Sequence, residues 1–167
     1  TSGDGIVATP SFCTVLEWPV TNKRLPGSTI TEQEAQRIVR IGQDSTFYRQ
    51  IKPGEKLQTS GRVTQIKKTS SGALIVQKVE TVNAESLEAV VTSWISLLFL
   101  GGEVEGGDRE IESSPRIDIK IPSPGELVAS EIFIPRKTPH VYAECSGIWN
   151  PINTERKVTL AAGLPDI

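Results

Sequence analysis

Between residues 45 and 100 the chain offers four long segments rich in β-branched and aromatic residues, parted only by short stretches of turn residues. No other feature limits its fold as strongly. Residues 45–51, 56–67, 73–82 and 89–100 read as strands. Pro53-Gly54, Ser70-Ser71-Gly72 and Asn83-Ala84-Glu85-Ser86 supply turn chemistry between them, and connections this short predict antiparallel neighbours in a meander. In residues 61–68 and 74–82, charged or amide side chains alternate with Val, Ile and Leu, so each strand is expected to turn one face to a helix and one to solvent. Residues 94–100 are apolar on both faces. That predicts a strand covered on both sides, or one lying at a subunit or domain contact.

Two helix signals stand out. Thr31-Glu32-Gln33-Glu34 places a capping hydroxyl three residues before a carboxylate, with Ala35, Ile38 and Val39 at helical spacing, which predicts a short helix over 32–39. Asn150-Pro151 is a favourable cap and first-turn pair, and Gly163 with Pro165 is a stop signal, so residues 151–162 are expected to form the second helix. A helix followed by an antiparallel sheet is an α+β layout. Residues 101–125 carry Gly101-Gly102, Gly106-Gly107, Pro115, Pro122 and Pro124 with a run of acids, which is linker composition. Beyond them, residues 131–135 and 140–143 read as a shorter strand-like region. No repeat at a fixed period is visible.

The 167 residues are 37% hydrophobic, enough for a packed core, and 18 basic against 20 acidic side chains predict no general attraction to nucleic acid or to a membrane surface. The longest apolar run, residues 95–100, is far short of a bilayer span and no secretion signal is visible, so a cytosolic location is expected. Cys13 and Cys145 are read as free, partly buried thiols. His140 is the single histidine, and no Cys or His cluster has ligand spacing, so neither metal nor cofactor is expected. The sequence has no Met and is expected to lack its natural start. Residues 126–167 are too few to finish a sheet domain of the preceding size, which predicts truncation or completion by another chain.

Residues 140–153 hold the most specific motif. Ser146-Gly147, then Asn150-Pro151-Ile152 leading into Thr154, and the closing Ala161-Ala162-Gly163-Leu164-Pro165 resemble the catalytic loop of the MaoC-like hydratases and dehydratases. Residues 42–62, with their Pro53-Gly54-Glu55 turn, are similar to a strand, turn and strand of the same family. The resemblance implies a hotdog fold, an antiparallel sheet wrapped around a helix, in a double-hotdog arrangement whose second unit is incomplete. It divides the chain into an N-terminal hotdog unit over 1–105, a linker over 106–125, and the start of a second unit over 126–167.

The resemblance also implies an acyl or polyketide thioester of coenzyme A or a carrier protein as substrate, hydrated or dehydrated at an enoyl bond. Assembly as a homodimer or hetero-oligomer through hotdog sheets follows from the same likeness. The family's loop carries an Asp and a His that activate the water, and these positions are Ile148 and Asn153 here. Neither side chain titrates, so general acid/base catalysis of the family kind is in question.

His140 and Tyr142 are read as candidates for proton transfer, or His140 as a histidine satisfied by a backbone group; Asn153 is read as a hydrogen-bonding group for substrate or water, or as a surface amide. Asn150 either caps the helix or shapes the loop for a ligand, Ile148 and Trp149 are read as substrate-binding, Trp149 either packing the loop or stacking on a ligand, and Gln43 and Asp44 either line an acyl tunnel or are strand-edge polar residues. Phe47 and Tyr48 are expected in the core, and Lys67-Lys68 at a solvated hairpin tip. Three functions are consistent with this set: an altered hydratase or dehydratase, a non-catalytic acyl-binding or structural subunit completing a partner's site, or an isomerase or cyclase on the same frame.

Overall fold

The strands expected from residues 45–100 form a single five-stranded antiparallel sheet in a computed structural model. The structure describes residues 5–23, 29–115, 129–161 and 163–166 and divides into two units, Thr1–Ser113 and Ser114–Ile167. In the first, β1 (Ile38–Phe47), β2 (Leu57–Thr69), β3 (Gly72–Asn83), β4 (Ala89–Leu100) and β5 (Arg109–Glu110) take the order β1-β4-β3-β2-β5. Strands β2 to β4 are the expected meander. Strand β1 does not join it beside β2 but pairs with β4 from Ile38↔Phe99 to Phe47↔Val91.

The first strand therefore starts well before residue 45, and the helix expected over 32–39 is only α2 (Glu32–Ala35). Its capping box is present, Glu34 N donating to Thr31 Oγ1 at 3.2 Å and Thr31 N to Glu34 Oε2 at 2.8 Å. The β-branched pair Ile38-Val39 is then taken by the edge of β4 rather than by a further helical turn. Part of the presumed linker is also structured: β5 pairs with β2, and Asp108 Oδ1 accepts from Lys68 N at 2.7 Å. Residues 116–128 of that stretch lie outside the described residues.

The helix against the sheet is α1 (Cys13–Thr21), entered through a short 3-10 turn (Pro10–Phe12). Sequence reading did not find it, because Pro19 lies inside it and a proline in a helix interior normally argues against one. Its buried residues, Cys13 and Glu17, are four apart and share the face turned to the sheet. Strands β2 and β3 lie under it, and Gly61 of β2 is opposite Val20: a Cβ at Gly61 would come within 2.9 Å of Val20 Cγ1.

Register places Val79 opposite Ser93, Gln77 opposite Ile95 and Thr81 opposite Val91 on this helix-facing side. Val79, Val91 and Ile95 are almost wholly buried, each worth about 1.5–3 kcal/mol relative to exposure. At one end of the sheet Ala73, Ile75 and Phe99 gather Ile30, Ile38, Val63, Leu97 and Val104. The β2–β3 turn depends on Gly72 there, whose φ of +140 and closeness to the Phe99 carbonyl leave no room for a Cβ.

On the opposite side of the sheet Trp94 is 6% exposed beneath the Lys78 ammonium, 5.2 Å from its ring. Glu112 ties Lys78 to Arg62 (2.6 and 2.7 Å), and Glu80 joins both. Strand β4 is thus buried on both faces at its centre. Phe47 and Tyr48, expected in the core, are 39% and 58% exposed, since β1 is an edge strand and Tyr48 lies past its end. Lys67 and Lys68 are exposed close to the β2–β3 turn.

The second unit contains α3 (Thr138–Ser146), α4 (Pro151–Thr154) and α5 (Arg156–Ala161), and no strand among the described residues. Residues 131–135, expected as a strand, are irregular with exposed side chains, and 140–143 lie in α3. Pro139 in the first turn explains α3: proline there costs no hydrogen bond and pre-sets helical φ. The helix expected over 151–162 is broken at Glu155, whose φ of -120 and ψ of 107 are extended. Thr159 Oγ1 crosses the break, donating to the Ile152 carbonyl at 2.7 Å and to that of Glu155 at 3.1 Å. Ala162 lies outside the described residues.

Candidate functional site

Two polar constellations are candidates, one in each unit. The first is the loop joining α3 to α4. Helix α3 ends at Ser146, and Gly147 takes the left-handed conformation, φ +68, that turns the chain away from the helix axis. Ser146 Oγ donates to the Tyr142 carbonyl at 2.6 Å and accepts from Ile148 N at 3.2 Å. Asn150 then caps α4, its Oδ1 accepting from Ile152 N at 3.3 Å while its own carbonyl accepts from Asn153 N at 2.9 Å. Pro151 has no N–H, so the first-turn amides of Ile152 and Asn153 are already used within the loop and neither is free to receive an oxyanion.

What remains is side-chain chemistry. Asn153 is exposed on α4, and among the described residues its carboxamide has no hydrogen-bond partner. Ile148 and Asn150 are half-buried and Trp149 is 47% exposed. His140 and Tyr142 lie on α3 rather than on a strand. Two residues apart on a helix, they point about 200° from one another and do not share a face, contrary to the strand-based expectation. Both are exposed, and the His140 imidazole has no hydrogen-bond partner among the described residues. Cys145 is an exposed free thiol.

The second constellation lies beneath α1. Glu17, fully buried, receives the Ser93 hydroxyl on Oε1 and Gln43 Nε2 on Oε2 at 2.9 Å. Gln43 Nε2 also reaches Ser45 Oγ at 3.1 Å and Cys13 Sγ at 3.6 Å, and Ser45 Oγ lies 2.8 Å from Ser93 Oγ. Arg40 Nη1 donates to Gln43 Oε1 at 2.7 Å, which fixes the orientation of the amide. Burial pushes the Glu17 carboxyl above its usual range, while Ser93, Arg40 and Gln43 pull it back. The Cys13 thiol is likewise pushed up by burial, then by the Glu17 charge.

Gln43 is thus committed to Glu17 and its neighbours, and Asp44 next to it is exposed on the other face of the strand. Glu17, the centre of this cluster, was missed in the sequence. The available signal was its spacing of four from Cys13 between apolar Leu16 and Trp18.

Surface depressions lie among the described residues of the first unit. One, of about 430 Å³, is lined by Arg49, Gln50, Lys52, Glu55, Asn83 and Glu88, where Arg49 is paired with Glu55 at 2.8 Å and with Glu88 at 3.1 Å. The other is lined by residues of β2 and β5 and the turn before β5. Among the described residues no group of His, Cys, Asp and Glu is placed to hold a metal, and no helix is long and apolar enough to cross a membrane.

Comparison with known proteins gives these features a family. Residues 3–93 match the family model described as FAS1-like, dehydratase domain region, just over half of the chain. Among solved structures, HtdX of Mycobacterium tuberculosis superposes with a TM-score of 0.67 at 17% identity, over 98% of this chain and 58% of its own. A MaoC-like dehydratase from Phytophthora capsici superposes with a TM-score of 0.73 at 14% identity, over 98% of this chain and 56% of its own. Peroxisomal multifunctional enzyme type 2 from Drosophila melanogaster superposes with a TM-score of 0.55 at 18% identity, over 93% of this chain and 26% of its own. The chain therefore spans less than two thirds of the length of these structures. No curated protein matches it. Sheet, helix and superposition agree on an α+β hotdog fold, and the chain belongs to the FAS1-like dehydratase-region family.

Proposed function

We propose that this chain is a MaoC-like hydratase/dehydratase unit for an acyl or polyketide thioester, carried by coenzyme A or a carrier protein. In this reading its loop positions the substrate by hydrogen bonds and does not transfer a proton. The observation that supports it is the Asn153 carboxamide, without a partner among the described residues, at the end of a loop in which the amides of Ile148, Ile152 and Asn153 are internally satisfied. Such a group donates to a thioester oxygen or accepts from a water. It does not titrate, and Ile148, at the position of the family's acid, offers only an apolar contact.

Hydration of an enoyl thioester needs a base for the water and a donor for the enolate-like oxygen. A positioned acid or base is worth on the order of 100 to 10,000-fold in rate, so a unit with Ile148 and Asn153 hydrates slowly at best. His140 and Tyr142 are the residues through which remaining proton transfer would run. The exposure of the loop supports a second reading, in which this chain is a non-catalytic hotdog subunit whose loop forms one wall of a site that a partner completes. Assembly through hotdog sheets as a homodimer or hetero-oligomer, and a cytosolic location, belong to both readings.

The test is hydration of a short 2-enoyl-coenzyme A by the chain and by the variant Ile148→Asp with Asn153→His. The first is expected near background, and the variant at least about 100-fold above it. Efficient hydration by the unaltered chain, or a folded but inactive double variant, contradicts the assignment of these positions. Co-purification with a hotdog chain that keeps the Asp and His selects the second reading.

A further inference from the structure

We propose that Glu17, Ser93 and Gln43 form a proton-operated latch that holds α1 on the sheet, closed when the carboxyl carries its proton and loosened when it does not. The geometry has hydrogen-bond partners for both carboxyl oxygens in either form. Ionised, Glu17 accepts from Ser93 on one oxygen and from Gln43 on the other. Neutral, it donates to Ser93 Oγ, which turns to donate to Ser45 Oγ, 2.8 Å away, while Gln43 still donates to the second oxygen.

Only the charge differs between the two forms, and Glu17 is completely buried. Among the described residues, the titratable and charged groups facing it are Cys13 on its own helix and Arg40 on β1, which acts through Gln43. Strand β4 presents Ser93, and β2 and β3 present Gly61 and Val79 to the helix. A single cation at second hand does not replace water around a buried carboxylate. Cys13 and Glu17 are the fully buried residues of the helix, with Val15, Leu16, Trp18 and Val20 half-buried beside them, so the cluster forms the centre of its contact with the sheet.

Burial raises the Glu17 carboxyl above 4.5 in the docked helix, and lifting the helix returns it toward that value. The docked form therefore binds the proton more tightly. Its advantage is complete below 4.5 and is lost as pH rises through the docked value, so α1 loosens as pH rises from 4.5 to that value.

Cys13, 3% exposed in the cluster, reports this opening, and exposed Cys145 supplies an internal reference for thiolate reactivity. Alkylation of both thiols in the full chain is followed by mass spectrometry from about pH 5 to about pH 7.5, below the range in which Cys13 itself titrates. The Cys13 to Cys145 rate ratio is expected to rise by up to about tenfold per pH unit between the two carboxyl values and then to level off. Glu17→Gln, which mimics the neutral acid, is expected to give a low, flat ratio. A flat ratio in the unaltered chain, or a parallel rise in Glu17→Gln, overturns the latch. Should Glu17→Gln fail to fold, Arg40→Gln at an exposed site decides: a ratio unchanged at the acid end but higher near neutral supports the latch, and a profile identical to the unaltered chain overturns it.

Discussion

The cluster under α1 and the loop between α3 and α4 use similar side chains to opposite ends. Beneath α1 a titratable carboxyl is fully buried, Ser93 and Gln43 bond it directly, and Ser45 bonds those two in turn. In the loop neither Ile148 nor Asn153 titrates, but the Asn153 carboxamide is exposed with its hydrogen-bonding capacity unused among the described residues. The difference teaches that a perturbed carboxyl alone is a poor guide to a reaction site. Here the acid pushed up by burial lies between a helix and the sheet, and the proposed ligand contact is an ordinary amide.

The largest effect that separates the two is Glu17→Leu. It leaves the Ser93 hydroxyl and the Gln43 amide facing an apolar side chain, and urea denaturation is expected to show a loss of about 3 kcal/mol. A loss under about 0.5 kcal/mol would mean that the cluster does not hold the helix. Next is Thr159→Val, which strips the donor shared by the Ile152 and Glu155 carbonyls. A cost of about 1–2 kcal/mol is expected.

Asn150→Ala removes the cap of α4 and is expected to cost about 1 kcal/mol, with faster amide exchange at Ile152 as the local sign. Unaltered exchange there would show that the loop does not depend on its cap. Smallest is Arg156→Gln, which breaks a 3.2 Å pair with Asp166 between two exposed side chains; a change below about 0.5 kcal/mol is expected.

Acid titration sharpens the contrast from the other side. Glu112 is held below its usual range by Lys78, then Arg62, and Glu55 by the Lys52 amide, then Arg49, so both add stability above the ordinary carboxylate range and lose it as pH falls. Glu17 has the opposite sign. Thermal stability measured against pH is therefore expected to fall in acid for the unaltered chain, while Glu17→Gln gains relative to it only as pH rises toward neutral.

Much of the sheet was legible because period-two alternation and turn residues act locally. The strand expected over 73–82 is Gly72–Asn83, and the one over 89–100 is Ala89–Leu100. The loop was legible for a related reason: Ser146, Gly147, Asn150 and Pro151 shape it through partners within a few residues of each other. The α1 cluster was not, because Cys13, Glu17, Gln43, Ser45 and Ser93 meet only through register and helix docking, and Pro19 disguised the helix that carries the acid. Residues 140–143 misled because Val and Tyr suit a strand, whereas the preceding Pro139 starts a helix.

The placement of a thioester on the α3–α4 loop is tested most directly by amide correlation spectra of the isotope-labelled chain titrated with a saturated acyl-coenzyme A. Saturable shifts are expected at the amides of Ile148 and Asn153, in the Asn153 carboxamide and in the Trp149 indole, with none in the α1 cluster. Shifts confined to the first unit, or an unchanged loop at millimolar ligand, would contradict it.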